Sequence, residues 1–465
     1  EIIIRLMPKI TVYITNHNYQ DYIEEAVESV LSQSFQDFEL LIIDDGSEDN
    51  SRKVINKYQD RDRVKIILQE RKGLNVTNNI ALKQAKGEFI VRLDADDYLH
   101  PEALEKMEEN LSNNPKAAMI FPDYFNIDKF GNIINTVRRH NFSKEVSLFD
   151  LPAHGACTMI RTNLLRELGG YDENFDRQDG YDLWLKVIFK YRILNLNEPL
   201  FFYRQHGSNL TSNSYDLLKT RAAIKEKHLK QRESSSIKVL SIIPFRGPDI
   251  DSSSKPLEKL NNKELISWTL EEAIKSKNIN RIVATSPDKK SLDFISKYYS
   301  KDVLIDNRPS DLAKVNKKLD ETVIRILNEQ EKKGERFDIV TILYIDYPFK
   351  RSWQIDEAIN TLKLFNVDSV DGVIPDNRFY YRHLGKGLEP LVEGGGLKLE
   401  RDQLYRRVGG VHCIKTSSFR SNAKLLGNVI GHINFDSITG FQIRSDLDWV
   451  VAQSLSKEHF LDHQD

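Results

Sequence analysis

The stretch Phe89-Ile-Val-Arg-Leu-Asp-Ala-Asp-Asp-Tyr98 ends an apolar, β-branched run in three carboxylates within four positions. Residues of that type favour a strand, and Lys86-Gly87 just before them closes the amphipathic stretch 76–85. A buried strand that stops at acids suits an open α/β sheet, because such sheets bind ligands at the C-terminal edge of their strands. Side chains alternate along an extended backbone, so Asp94 and Asp96 point to the same side, where hard oxygens suit Mg²⁺ or Mn²⁺ bridging the phosphates of a nucleotide. The competing reading is a solvated acidic turn ahead of a helix at Pro101.

The residues upstream favour the ligand site. Apolar and polar patterning predicts strands over 10–16, 38–44, 64–69 and 89–93, alternating with helices over 21–33, 49–58, 76–85 and 101–112. That alternation implies right-handed βαβ crossovers and a mostly parallel sheet. Two strands in the series end in acids, at Asp44-Asp45 and at Asp94. From Met7 to about Leu210 the chain resembles the family 2 glycosyltransferases, inverting enzymes of the GT-A fold. The ordered matches are Thr15-Asn-His-Asn18, Ser29-Val-Leu-Ser-Gln33, Ile43-Asp-Asp-Gly-Ser47, Gly73 with Asn79, Gly87-Glu-Phe89 and Leu93-Asp-Ala-Asp-Asp97.

The resemblance implies roles for single residues. Thr15, His17 and Asp45 match positions that hold base and ribose, and Asp94 matches an aspartate that also faces the nucleotide. His17 stands where a tyrosine is usual, which leaves the choice of base open. Asp94 and Asp96 are expected to position the metal, with Asp97 as the alternative ligand or as the acid of the following helix. The family keeps its general base in an acidic pair before an Asp-Leu-Trp helix, and Gln178-Asp-Gly-Tyr-Asp-Leu-Trp-Leu-Lys186 fits that place. Asp179 is the expected base, taking the acceptor's hydroxyl proton during attack. Asp182 is the one-register alternative, or the N-cap of the helix. Phe201-Phe-Tyr-Arg-Gln-His206 matches a closing strand whose histidine, His206, can face the metal or the diphosphate.

Composition narrows the setting. In 465 residues, 67 basic side chains balance 69 acidic ones, so nothing in the total charge argues for nucleic acid or a polyanionic substrate, and no nucleic-acid partner is expected. Two distant cysteines, Cys157 and Cys413, indicate neither a disulfide framework nor a zinc site, which fits a reducing compartment. No run approaches the ~20 apolar residues that span a bilayer. Met7 reads as a start, residues 1–6 are set aside, and the expected location is the cytoplasm, with the inner face of the membrane as a possible station. Six Lys and Arg residues surround an apolar stripe in 217–232. This basic helix, within a connecting segment 211–236, is read as a solvated connector or as a surface lying on anionic lipid, which would suit a lipid-linked acceptor.

The second half, 237–456, opens on another strand, over 237–243, and continues with helices at 262–276, 290–299, 318–333 and 353–365 and strands at 281–285 and 338–345. It resembles the cytidylyltransferases that make CMP-sialic acid and related CMP-sugars. The resemblance rests on Ile243-Pro-Phe-Arg246, Leu265-Ile-Ser-Trp-Thr269, Asn307-Arg-Pro309, Tyr347-Pro-Phe-Lys350 and Tyr405-Arg-Arg-Val-Gly-Gly410. Where that family carries a Ser-Lys loop for triphosphate, this chain has Gly247-Pro-Asp-Ile-Asp-Ser-Ser-Ser254, leaving Arg246 and Lys255 as candidate nucleotide-binding groups. Where the family carries an Asp-x-Asp metal pair, Gly440-Phe-Gln-Ile-Arg444 presents Gln442 and Arg444.

The fold expected is therefore α/β, two Rossmann-like α/β/α domains, a GT-A glycosyltransferase at 7–210 followed by a nucleotidyltransferase-like domain at 237–456. The function expected is a Mn²⁺- or Mg²⁺-dependent inverting transferase moving a sugar from a nucleotide-sugar donor to a glycan or lipid-linked acceptor in surface polysaccharide assembly. The second domain is read as having kept its fold and lost its chemistry. Its alternatives are a CMP-sugar synthetase feeding the first domain, and a homodimerisation or nucleotide-binding module whose arm lies around 375–410.

Overall fold

The computed structural model describes residues 7–138, 155–206, 214–232, 236–376 and 404–462, with isolated positions between them. The chain divides into two compact units, one of residues 1–213 with 379–402 and the other of 214–378 with 403–465.

The first unit begins with β1 (Ile10–Asn16), α1 (Ile23–Leu31), β2 (Phe38–Asp45), α2 (Ser51–Ile55), β3 (Val64–Gln69), α3 (Leu74–Gln84) and β4 (Phe89–Asp94). These strands pair in parallel in the order β3-β2-β1-β4. β1, β2 and β4 are apolar on both faces because helices cover both, and Ile10, Val12, Ile14, Leu40, Ile42, Phe89, Val91 and Leu93 are all buried. Each such side chain contributes roughly 1.5–3 kcal/mol of burial free energy. α1 turns Ile23, Ala26, Val27 and Val30 inward at helical spacing. The register sets Thr15 beside Asp94 and Asn16 beside Asp44, so polar residues collect where the strands end.

Then come β5 (Tyr98–Leu99), α4 (Ala103–Ser112), β6 (Ala117–Ile127), β7 (Ile133–Val137), β8 (Met159–Arg161), α5 (Thr162–Glu167), α6 (Asp179–Val187) and β9 (Arg192–Arg204). β8 lies antiparallel between β4 and β6, β6 pairs β9 in parallel, and β9 pairs the short β5. β9 returns to the acid loop that follows β4.

The second unit starts earlier than the sequence reading placed it. Helix α7 (Ser214–Lys230) buries Leu218, Ala222, Ile224 and Leu229. It packs on α12 (Ser352–Phe365), where Tyr215 meets Trp353 edge-on at 5.7 Å and Lys225 Nζ donates to Glu357 Oε1 at 2.6 Å and Thr361 Oγ1 at 3.0 Å. The expected solvated or lipid-facing helix is corrected: its apolar side is occupied by a protein helix, and one of its lysines is a buried ion-pair partner. The rest of the 211–236 segment, at 211–213 and 233–235, lies outside the described residues.

The unit continues through β10 (Val239–Pro244), β11 (Lys259–Leu260), β12 (Lys263–Glu264), α8 (Leu265–Lys275), β13 (Arg281–Ser286), α9 (Lys289–Tyr299), β14 (Val303–Asn307), α10 (Ser310–Ala313), α11 (Asp320–Lys332) and β15 (Ile339–Ile342), reaching α12. β16 (Ser369–Asp376), β19 (Leu404–Lys415), α13 (Thr416–Asn422), β20 (Ile430–Asn434) and α14 (Asp446–Asp462) complete it. The sheet order is β14-β13-β10-β15-β19-β16-β20, parallel over its first four strands and with β19 antiparallel to both neighbours. Within the stretch expected as a dimerisation arm, β17 (Tyr381–His383) and β18 (Leu388–Pro390) form a hairpin, and 392–403 lie outside the described residues. Among the described residues no helix is long and apolar enough to cross a membrane.

Candidate active site

Thr15, His17, Asp45 and Asp94 meet at the ends of β1, β2 and β4. Thr15 Oγ1 donates to Asp94 Oδ1 at 3.2 Å, and His17 Nδ1 lies 2.9 Å from the backbone carbonyl of Asp45. The Asp45 carboxylate accepts from Gln69 Nε2 at 2.7 Å and from the backbone N–H groups of Lys72 at 2.7 Å and Gly73 at 2.8 Å. It therefore fixes the loop that opens α3. Asp44 is buried and turned the other way, accepting from Asn16, Ser47 and Arg52. Burial works against its charge, but these donors hold its carboxyl below the ordinary range.

The three acids of the Asp94–Asp97 loop differ in direction. Asp97 faces the interior: its Oδ1 accepts from the backbone of Arg204 at 2.8 Å, its buried Oδ2 has no hydrogen-bond partner among the described residues, and burial beside Asp96 and Asp94 pushes its pKa well up. Asp96 Oδ2 sits 2.9 Å from His206 Nε2. That imidazole is stacked on Tyr22 and edge-on to Tyr19, each at 5.6 Å between ring centres. Arg204, just before it, donates from Nε to the Asp96 carbonyl at 2.9 Å, pairs with Glu25 and covers the Tyr22 ring.

Asp96 and His206 fit a divalent ion as two adjoining ligands, one hard oxygen and one imidazole, a set compatible with Mn²⁺. Among the described residues no cluster of three or more acidic, histidine or cysteine side chains forms a complete cage. Ions of this kind often take one or two protein carboxylates and complete their shell with substrate phosphates and water.

Asp179 is the first residue of α6, packed into the same end of the sheet. Its Oδ2 is paired with Arg92 Nη1 and lies 3.4 Å from Asn78 Nδ2. Arg92 also holds Asp94, with Nε 3.0 Å from Oδ1 and Nη2 3.3 Å from Oδ2. One buried guanidinium thus ties Asp179 to Asp94. Burial opposes its charge, yet Asp179 and Asp94 keep its pKa above the ordinary value. Asp94 is pushed up to about 6 by burial, a rise that Arg92 resists and that the Asp96 and Asp179 carboxylates reinforce. A Cβ on Gly155 would come within 2.8 Å of Arg92 Nη2, so the absent side chain makes room for the bridge. Asp182 is not the N-cap: Gln178 holds that position in a left-handed conformation, φ 60°, and Asp182 Oδ2 pairs one turn on with Lys186 Nζ at 2.9 Å.

Replacing Arg92 therefore has two separable effects. Arg92→Met strands the buried carboxylate of Asp179 and the partly exposed one of Asp94 and costs about 3 kcal/mol in urea unfolding. Arg92→Lys keeps the charge but loses the fork that grips two acids, so it loses less stability while kcat falls about ten-fold or more. Equal kcat in wild type and Arg92→Lys would show that the bridge does not position the base.

In the second unit, Arg246 and Lys255 both line a cavity of about 460 Å³ below the C-terminal end of β10. Arg246 Nε donates to the Ala313 carbonyl at 2.7 Å, and Lys255 Nζ pairs with Asp446 at 3.1 Å.

Residues 11–169 match the model of glycosyl transferase family 2. An uncharacterized glycosyltransferase of Methanocaldococcus jannaschii, MJ1057, is 30% identical over 206 residues, which cover 42% of this chain and 71% of that protein. The chain belongs to glycosyl transferase family 2. This family 2 chain carries a second match, residues 242–388 to the cytidylyltransferase model. Chondroitin synthase of Pasteurella multocida (strain Pm70) is 31% identical over 218 residues, 46% of the family 2 chain, which spans 22% of that synthase's length. A mannosyltransferase of Pyrobaculum calidifontis, solved with GDP-Man and Mn²⁺, is 16% identical with a TM-score of 0.39, covering 50% of this chain and 67% of that one.

Three groups of the family 2 unit escape the sequence reading. Arg92 sits mid-strand in Phe89–Asp94, where a charge in an apolar run was the available signal for a buried partner. Arg204 lies inside the closing-strand match Phe201–His206 but drew no role there, Tyr22 carries no motif, and the return of β9 brings the two together.

Proposed function

We propose that the first unit is an inverting, metal-dependent glycosyltransferase that moves a sugar from a nucleoside diphosphate donor to a hydroxyl of a glycan or lipid-linked acceptor. Surface polysaccharide assembly on the cytoplasmic side is the setting. The observation that supports this reading is the Arg92 bridge, which ties Asp179 to Asp94. Thr15, His17 and the loop held by Asp45 receive base and ribose. Asp96 and His206 would hold Mn²⁺ or Mg²⁺, which when bound would neutralise charge on the leaving diphosphate. Asp179 accepts the acceptor's hydroxyl proton while the hydroxyl oxygen bonds to the anomeric carbon from the face opposite the diphosphate, whose C–O bond breaks with inversion. Arg92 holds the carboxylate in place for that transfer.

The second unit is proposed to have kept a nucleotidyltransferase fold without its turnover, and to pair two copies of the chain. Its match to the cytidylyltransferase model favours one further reading, a synthetase that supplies a CMP-sugar to the first unit. One experiment addresses both. The full chain is screened against UDP-, GDP- and CMP-sugars by thermal shift and donor hydrolysis, with Mn²⁺ or with EDTA, and separately given CTP with nonulosonic acids. The expected result is one donor class stabilised and slowly hydrolysed with Mn²⁺, and no pyrophosphate. No response to any donor would sink the transferase reading, and pyrophosphate well above background would put the bifunctional reading first.

A further inference from the structure

The second unit's cavity lies among β10, β15 and the loop before α14, and five of its lining side chains are basic, Arg246, Lys255, Arg308, Lys317 and Arg444, against two acids. Both acids are engaged. Asp346 Oδ2 accepts from Gln442 Nε2 at 2.5 Å, and Asp251 Oδ1 accepts from Ser253 N at 3.1 Å and Ser253 Oγ at 2.6 Å while its Oδ2 lies 3.6 Å from Arg246. A Mg²⁺ or Mn²⁺ ion needs anionic oxygens at short range. The residues at the end where the resemblance implies a metal pair are instead an amide, Gln442, and a guanidinium, Arg444. A divalent ion does not fit this donor set.

An anion does. Arg308 is 4% exposed, and among the described residues its buried Nε has no hydrogen-bond partner, although Nη2 donates to the Phe245 carbonyl at 2.6 Å. Burial lowers its pKa to about 10, a fall that Arg246 and Arg325 deepen and Asp306 opposes. Trp449 supplies an aromatic wall, with Lys255 Nζ 5.4 Å from its ring centre. A cavity of this volume holds a molecule of nucleotide size.

We infer that the second unit's cavity is a metal-independent receptor for a nucleoside phosphate, with the Arg308 and Arg444 guanidiniums doing for the phosphates what a divalent cation would otherwise do. The inference rests on the proposal that this unit does not turn over CTP. Arginine matches phosphate oxygens with paired donors and is always charged, so it neutralises an anion without a bound ion. What it does not supply is a movable Lewis acid on a departing pyrophosphate, so the same substitution that permits binding removes turnover.

The test titrates the full chain with CMP and with CDP by calorimetry, in EDTA and again in Mg²⁺, and assays pyrophosphate release from CTP separately. The expected result is EDTA-resistant binding whose Kd shifts by less than about two-fold with Mg²⁺ and weakens about ten-fold or more in Arg444→Asp. Arg444 is exposed, so that variant should keep the wild-type melting temperature, and Arg308→Met is expected to weaken binding in the same way. Donor hydrolysis by the first unit stays unchanged in both variants. Binding that appears only with Mg²⁺, no binding of either nucleotide in EDTA, or full affinity in folded Arg444→Asp would each overturn the inference. Pyrophosphate release together with EDTA-resistant binding would overturn the proposed loss of turnover and leave the receptor standing.

Discussion

Asp179→Asn lowers the turnover number by roughly 10²–10⁴ while the donor's dissociation constant stays within a few-fold. An amide cannot take the acceptor's proton, so the loss belongs to the step in which the hydroxyl attacks. Donor affinity survives because the groups expected around base and ribose, Thr15, His17 and the Asp45 loop, do not depend on Asp179 for their contacts. The variant does release the Arg92 fork from one side, but Asp94 still anchors it. Asp182→Asn is the matched control: its carboxylate pairs with Lys186 along α6, so the expected change is a modest loss of stability with kcat nearly intact. If Asp182→Asn costs more turnover than Asp179→Asn, the base has been placed one turn too early.

Asp96→Ala is expected to abolish Mn²⁺-dependent donor hydrolysis and transfer altogether. Its stability should change by only about 1 kcal/mol, for reasons that oppose each other. The carboxylate is buried and loses its contact with His206 on truncation, but it also crowds Asp94 and Asp97, whose pKa values it raises, and removing it relieves that repulsion. His206→Ala should reproduce the loss of Mn²⁺ response with a smaller fall in rate, since the carboxylate oxygen is the harder ligand. Most of the wild-type metal-dependent activity persisting in Asp96→Ala, checked by a melt for intact folding, would remove the metal assignment.

The strands that carry the site were readable because each announces itself locally. Ile10–Asn16, Phe38–Asp45 and Phe89–Asp94 are mainly apolar and β-branched runs that end in polar or acidic residues. The sequence also pointed to Thr15, His17, Asp45, Asp94, Asp96, Asp179 and His206, and the fold gathers them at one edge. It could not rank Asp94, Asp96 and Asp97, because the difference lies in which way each carboxylate turns once Arg204 has arrived from residues more than a hundred positions away. The Arg92–Asp179 bridge was hidden for the same reason, spanning 87 positions. The helix at Ser214–Lys230 read as solvated because its charges are visible in sequence, and the acid that buries Lys225, Glu357, lies 132 residues on. In the second unit β14 and β20 are short strands with little periodicity to read, while the longer β16 and β19 carry glycines and charges that break the apolar alternation.

The return of β9 also sets a timetable. Glu25 and Arg204 are separated by 179 positions, and Tyr98–Leu99 has its strand partner in Phe201–Phe202. While the chain is being synthesised, β1 to β4 can collapse as soon as they emerge, but the acid loop stays without Arg204 and His206 until those residues follow. Closing so long a loop is slow relative to local helix formation. The segment that brings Arg204 and His206 to the acid loop is thus made well after the central strands, so a nascent chain holds an assembled sheet before it holds the proposed site. An interrupted or clipped chain that ends ahead of residue 204 would be folded in its first layers and catalytically empty.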